Sequence, residues 1–250
     1  MVKLLTRSSK YLALVFVLLA NTVAAQITVT QSPSVAVGAL FAGTTTYTFT
    51  GLSAPSAGQG VVCVERNGNN RAISSITLSS SGTTTAFTSV ATVSSPRIEM
   101  WRATATGSET NANVVVTLAV SANDFEAVGC IVVSGWASDQ SGSTSITQTT
   151  TAQTTHTVGT VTPVTANNII VHWSERPNRS WTEDSNYTQV TTGSVFFEFS
   201  YWIQTSATAR LHTMISDSAG DAGMILAQFS GSGGGGGATS KSLMLLGVGR

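Results

Sequence analysis

The chain has 250 residues, room for one large or two small domains, and only 10% of them are charged and 7% aromatic. Twelve basic and twelve acidic residues cancel, and no Lys/Arg run offers the electrostatic footprint that nucleic-acid binding needs. Hydrophobic residues reach 42% and fall in spaced runs, which excludes a disordered chain.

The first segment has the order of a secretory signal. Lys3, Arg7 and Lys10 precede the apolar run "YLALVFVLLA", and "VAA" at 23–25 supplies small residues before Gln26. The apolar run is shorter than the roughly 20 residues a transmembrane helix needs, so no stable membrane span is expected. Cleavage after Ala25 takes three of the twelve basic residues and leaves nine against twelve acidic, a balance of −3.

From Gln26 to about Gly231 strand follows strand. "TYTFTG" alternates Tyr47 and Phe49 with threonines. "GVVCVER" follows, carrying Cys63, and "AVGCIVVSG" carries Cys130. Both cysteines sit in apolar strand-like runs. Export permits an even pair to oxidise, and closing so long a loop adds about 4 kcal/mol in the chain-entropy model. Two buried thiols packing as small hydrophobes fit the same residues equally well. "RIEMWRATA" and "NVVVTLAVSA" come between them, the latter with Val114, Val116, Leu118 and Val120 on one face. The Thr/Ser-rich stretches 79–95 and 141–160 lack the prolines of mucin-like linkers and carry spaced Phe87, Val90, Val93, Ile146 and Val158; they read as exposed threonine-rich strands. "NNIIVHWSE", "ARLHTMIS" and "GMILAQFS" are further strands.

Turn signals punctuate these runs at 67–70, 79–82, 105–113, 165–168 and 216–223. No amphipathic helix is expected, and "SANDFEAVG" forms at most a turn. The end, "SGSGGGGGATSKSLMLLGVGR", reads as a flexible glycine-rich tail over 231–250.

The densest aromatic stretch is "GSVFFEFSYWIQT" at 193–205. Period two puts Val195, Phe197, Phe199, Tyr201 and Ile203 on a core face. Phe196, Glu198, Ser200, Trp202 and Gln204 take the other, which mixes aromatic and polar groups. A glycosidase needs two carboxylates flanking one bond, and no second Asp or Glu shares this face. Glu198 therefore reads as a solvated surface carboxylate; the alternative is a place on a sugar-binding face. His156, His172 and His212 lie in separate segments without H-x-H or H-E-x-x-H spacing, so strand polar faces are their expected place and no metal site is expected. "VSGW" at 133–136 is not a nucleophile elbow. "TEDSN" and "DSAGD" match no calcium loop. "NRS" at 178 and "NYT" at 186 match the glycosylation acceptor of a eukaryotic secretory route.

The series "GVVCVERNG", "ISSITLSSSG", "RIEMWRATATG", "NANVVVTLAVS", "VGCIVVSGW", "NNIIVHW" and "SWTEDSNYTQV" resembles a loosely defined group of uncharacterised β-sandwich proteins of tailed phages, prophages and marine bacteria, over roughly residues 40–230. The resemblance implies a virion-associated or cell-surface sandwich with no catalytic residues to carry over. The export signal departs from a virion protein assembled in the cytoplasm.

The expected architecture is all-β: a single antiparallel β-sandwich, jelly-roll or lectin-like, over residues 26–230, with a signal peptide at 1–25. The expected role is non-enzymatic, structural or adhesive, secreted or at the cell surface, or on a virion, without cofactor. Partners are further copies of the chain or a surface glycan, not nucleic acid. The runner-up is a carbohydrate-binding module using exposed Trp136, Trp181 and Trp202 beside Glu198. A glycan hydrolase or lyase lacks an acid–base pair.

Overall fold

The computed structural model describes residues 26–232 apart from 34, 40–43, 68–70, 81–82, 110–111, 123–124, 138–143, 176–180, 183–184 and 192–196. The expected signal peptide and most of the expected tail lie outside the described residues. Within them the chain is all-β, in antiparallel sheets and with no helix. No described helix is therefore long and apolar enough to cross a membrane.

In chain order the strands are β1 (Thr28–Gln31), β2 (Ala36–Ala39), β3 (Thr44–Phe49), β4 (Gly60–Asn67), β5 (Ile73–Ser80), β6 (Thr83–Ala86), β7 (Thr88–Ser94) and β8 (Arg97–Thr104). They continue with β9 (Asn113–Ala122), β10 (Phe125–Ser134), β11 (Thr144–Val161), β12 (Asn168–Glu175), β13 (Trp181–Thr182), β14 (Thr188–Gln189), β15 (Phe197–Gln204) and β16 (Arg210–Ser230). β-Branched residues fill the longer strands, as a pleated and packed surface favours.

Three sheets result. The first runs β1-β10-β4-β8-β7, with β2 also on β10. The second runs β3-β9-β5-β6, and the third β11-β16-β12-β15-β14, with β13 on β16. The central strands of the first sheet, β4 and β10, are buried on both faces. Val62 and Val64 of β4 and Ala127, Ile131 and Val133 of β10 face Val171, Trp173, Phe199 and Phe229 of the third sheet. The alternate residues Val61, Cys63, Val128, Cys130 and Val132 face Phe49, Ile76, Leu78, Val114 and Val116 of the second. This double burial explains why β4 and β10 read as continuous apolar runs rather than alternating ones. Arg66 of β4 reaches across to Glu175 of β12 at 2.6 Å, and the Trp173 indole N–H donates to the Glu65 carbonyl at 3.0 Å. These contacts fasten the first and third sheets at one end of their shared core.

The sequence places a turn at 216–223, but β16 runs unbroken through it for 21 residues. Residues 223–230 of β16 pair with β12, and residues 210–227 pair with β11. The β11 ladder shifts register between Thr149 and Gln153, between Gln153 and Thr155, and between Val158 and Val161. Such bulges bend a strand without ending it. The small residues Ser218, Ala219 and Gly220 offer no bulk against the bend. The early half of β16 thereby returns over the outer face of β12 and β15. It closes a third core of Val158, Val161, Ile170, Tyr187, Met214, Met224 and Leu226, with Trp202 packed against it.

Candidate functional site

The period-two split of the aromatic strand holds in β15. Phe197 and Phe199 are buried in the core between the first and third sheets, and Tyr201 and Ile203 pack against it. Glu198, Ser200, Trp202 and Gln204 take the opposite face. That face is not open to water as the sequence suggested. Glu198 is 1% exposed because β16 lies over it, so its reading as a solvated carboxylate is overturned.

Three strands bring their ionisable groups together beneath this cover. β12 alternates Ile170, His172 and Ser174 on the covered face, and His172 stands opposite Ser200 of β15. On the early half of β16, His212, Met214 and Ser216 point inward while Leu211 and Ile215 are exposed. His172 and His212 are both fully buried. Their rings lie 3.8 Å apart between centroids, tilted by 35°. Glu198 Oε1 lies 3.5 Å from His172 Nδ1 and 3.8 Å from His212 Nε2. The Ser200 hydroxyl donates to Glu198 Oε1 at 3.1 Å and sits 3.3 Å from His172 Nδ1. Tyr187 closes the edge, its ring 4.4 Å from that of His212 and 5.6 Å from that of Trp202. Ser174 Oγ contacts Met214 Sδ at 3.0 Å, so thioether and hydroxyl fill the remaining side.

Desolvation by burial pushes His172 down to about 3, which leaves its imidazole neutral near neutral pH. A neutral ring is a lone-pair donor. The group is not arranged as a hydrolytic triad. Ser200 gives its hydrogen to the carboxylate, and the ring nitrogen it meets is the one that also faces Glu198. A triad instead needs serine and carboxylate on opposite ring nitrogens.

The other residues singled out in the sequence are scattered. Trp136 is buried rather than exposed. It stacks on Phe229 at 5.1 Å, its indole N–H donates to Thr104 Oγ1, and a Cβ on Gly60 would overlap its ring. Its rim borders a shallow cleft of about 380 Å³ with Gln59, Ser134 and Ser232. Trp202 is half-buried, and the Arg210 guanidinium covers its ring at 4.4 Å. Trp181 enters β13 opposite Ser216; its side chain lies outside the described residues. Cys63 and Cys130 stand directly opposite each other on β4 and β10, fully buried, and form a disulfide.

The histidine–carboxylate cluster was the feature that spacing rules missed. Its residues are separated by 26 and 14 positions and meet only through β16's return. One signal did point to it. β12 has apolar residues on both faces, Ile169, Val171 and Trp173 against Ile170, a hint that the His172 face is covered.

No family model, curated protein or solved structure matches the chain.

Proposed function

We propose that this is an exported, non-enzymatic structural protein that assembles with further copies of itself, at a cell surface or within a particle, along the free edge of β11. Residues 26–230 act in this reading as one sandwich-type unit behind a signal peptide. The observation that carries it is the character of that edge. β11 is 18 residues long, contains no Asp, Glu, Lys or Arg, and pairs with β16 alone among the described residues. Natural edge strands are ordinarily blunted by charge, proline or brevity, because unpaired N–H and C=O groups recruit other strands. β11 has none of these; its bulges fall after Thr149, and the regular stretch Thr144–Thr149 carries Ile146, 54% exposed. A second β11 fits because two uncharged threonine-rich edges meet without repulsion, and strand addition supplies main-chain hydrogen bonds.

Sedimentation of the secreted chain tests the reading. Concentration-dependent association is expected, and Ile146→Lys with Thr154→Lys is expected to return it to monomer without lowering the melting temperature by more than a few degrees. A wild-type chain that stays monomeric at high concentration, or a lysine variant that associates unchanged, removes the proposal.

A further inference from the structure

We propose that His172, Glu198 and His212 hold a divalent transition-metal ion, zinc by preference, as a structural clasp between the early half of β16 and the outer face of β12 and β15. The three side chains come from three strands and offer ligand atoms that all lie within 4.8 Å of one another. Their spacing is the central argument. At 3.5 and 3.8 Å, the carboxylate oxygen is too far from either ring nitrogen for a good hydrogen bond. A tetrahedral ion with bonds of about 2.1 Å sets its ligands roughly 3.4 Å apart. The Ser200 hydroxyl touches both Glu198 Oε1 and His172 Nδ1, and the spacing of the three ligand atoms around it is close to that of an ion's ligand set.

A second observation comes from His172 itself. The ring is fully buried, yet its Nε2 has no hydrogen-bond partner among the described residues. Buried polar atoms are nearly always satisfied, so this nitrogen of His172 leaves a position to be filled. Nδ1 is the nitrogen that faces Glu198, so Nε2 coordinates only if the ring turns over, which leaves Nδ1 as the outward nitrogen.

The donor set selects the ion. Two imidazole nitrogens and one carboxylate oxygen suit zinc, cobalt, nickel or copper, whereas calcium and magnesium take oxygen ligands. Ser200, donating to the carboxylate, is placed to orient it as outer-shell partners do. Three protein ligands leave the fourth tetrahedral position to a water molecule, and their burial, at most 1% exposed each, shuts that position off from bulk solvent. Metal would enter as the β16 cover closes, so that binding and docking of the cover are one event.

The test uses the full chain, stripped with chelator and dialysed against zinc. About one zinc per chain is expected by elemental analysis, as for a structural site, with a melting temperature that rises on zinc addition and falls on chelation. Cobalt in place of zinc is expected to give the visible absorption of a tetrahedral centre. His172→Gln, Glu198→Gln and His212→Gln are each expected to weaken zinc binding at least tenfold. His156→Gln, which removes a buried histidine outside the cluster, is expected to leave it unchanged. Should the cluster variants fail to fold, the wild-type cobalt spectrum and an anomalous-scattering map still decide. Wild-type protein without stoichiometric zinc and without a zinc-dependent melt overturns the proposal, as does an anomalous peak elsewhere or retained affinity in a folded Glu198→Gln chain.

Discussion

A single carboxylate organises the connection from β8 to β9. Glu109 is buried and accepts hydrogen bonds from the Thr106 amide and hydroxyl at 2.9 Å, the Gly107 amide at 2.8 Å and the Thr85 hydroxyl at 2.7 Å. Gly107 has φ of 83°, a conformation that costs a residue with a Cβ and allows its amide to face the carboxylate. Burial opposes ionisation, but these donors outweigh it and hold Glu109 at about 2, below its ordinary 4.5. The folded state therefore binds fewer protons than the unfolded state between those two values. Stability from Glu109 is complete above about 4.5 and is lost as pH falls towards about 2. Denaturant unfolding across that range is expected to show the loss in the wild type and a shallower one in Glu109→Gln. At neutral pH the same substitution is expected to cost about 1.5–3 kcal/mol, as hydrogen bonds to a charged group do.

At the scale of single strands, β15 shows how far local pattern carries. Its two faces were legible because side chains alternate on any strand, and Phe199 falls in the core as period two requires. Phe199→Ala is expected to cost roughly 3–5 kcal/mol in denaturant unfolding, through lost burial and a cavity. Gly129 of β10 lies under the same ring. A Cβ there would stand 3.0 Å from Phe199 and 2.6 Å from Val35, so Gly129→Ala is expected to strain the core from the opposite side. What the pattern did not show was the environment of the second face. Glu198 is polar and alternates with phenylalanines, which on an uncovered sheet means water. Its burial depends on β16 bending back where the β11 ladder shifts register, far along the chain from Glu198. The turn signal at 216–223 misled for a related reason. Serine, alanine and glycine mark a place where a chain can bend, and a bulged strand bends as a turn does. The trio His172, Glu198 and His212 escaped spacing rules for the same cause, being assembled by tertiary return, and only the two-sided apolar pattern of β12 hinted at a cover over His172.

For the whole molecule, the first sheet is the shared wall of two cores, and the Cys63–Cys130 bond lies within it. The bond spans 67 positions of sequence, and the chain-entropy model assigns a loop of that length about 4 kcal/mol. Cys63→Ala with Cys130→Ala is expected to lower unfolding stability by that order in denaturant titration. A further effect follows from where the bond sits. Strands with one wet face are kept in register because slipping by one residue turns their apolar side chains to solvent. β4 and β10 have no wet face, so a slip incurs little penalty from water, and only local fits such as Gly129 under Phe199 and Arg66 on Glu175 oppose it. The disulfide removes that ambiguity, since it forms only when Cys63 faces Cys130. Its absence should therefore be read first in spectroscopic multiplicity: one set of amide resonances for the oxidised chain, and for the double alanine variant more than one set from β4 and β10, as the two strands sample offset alignments.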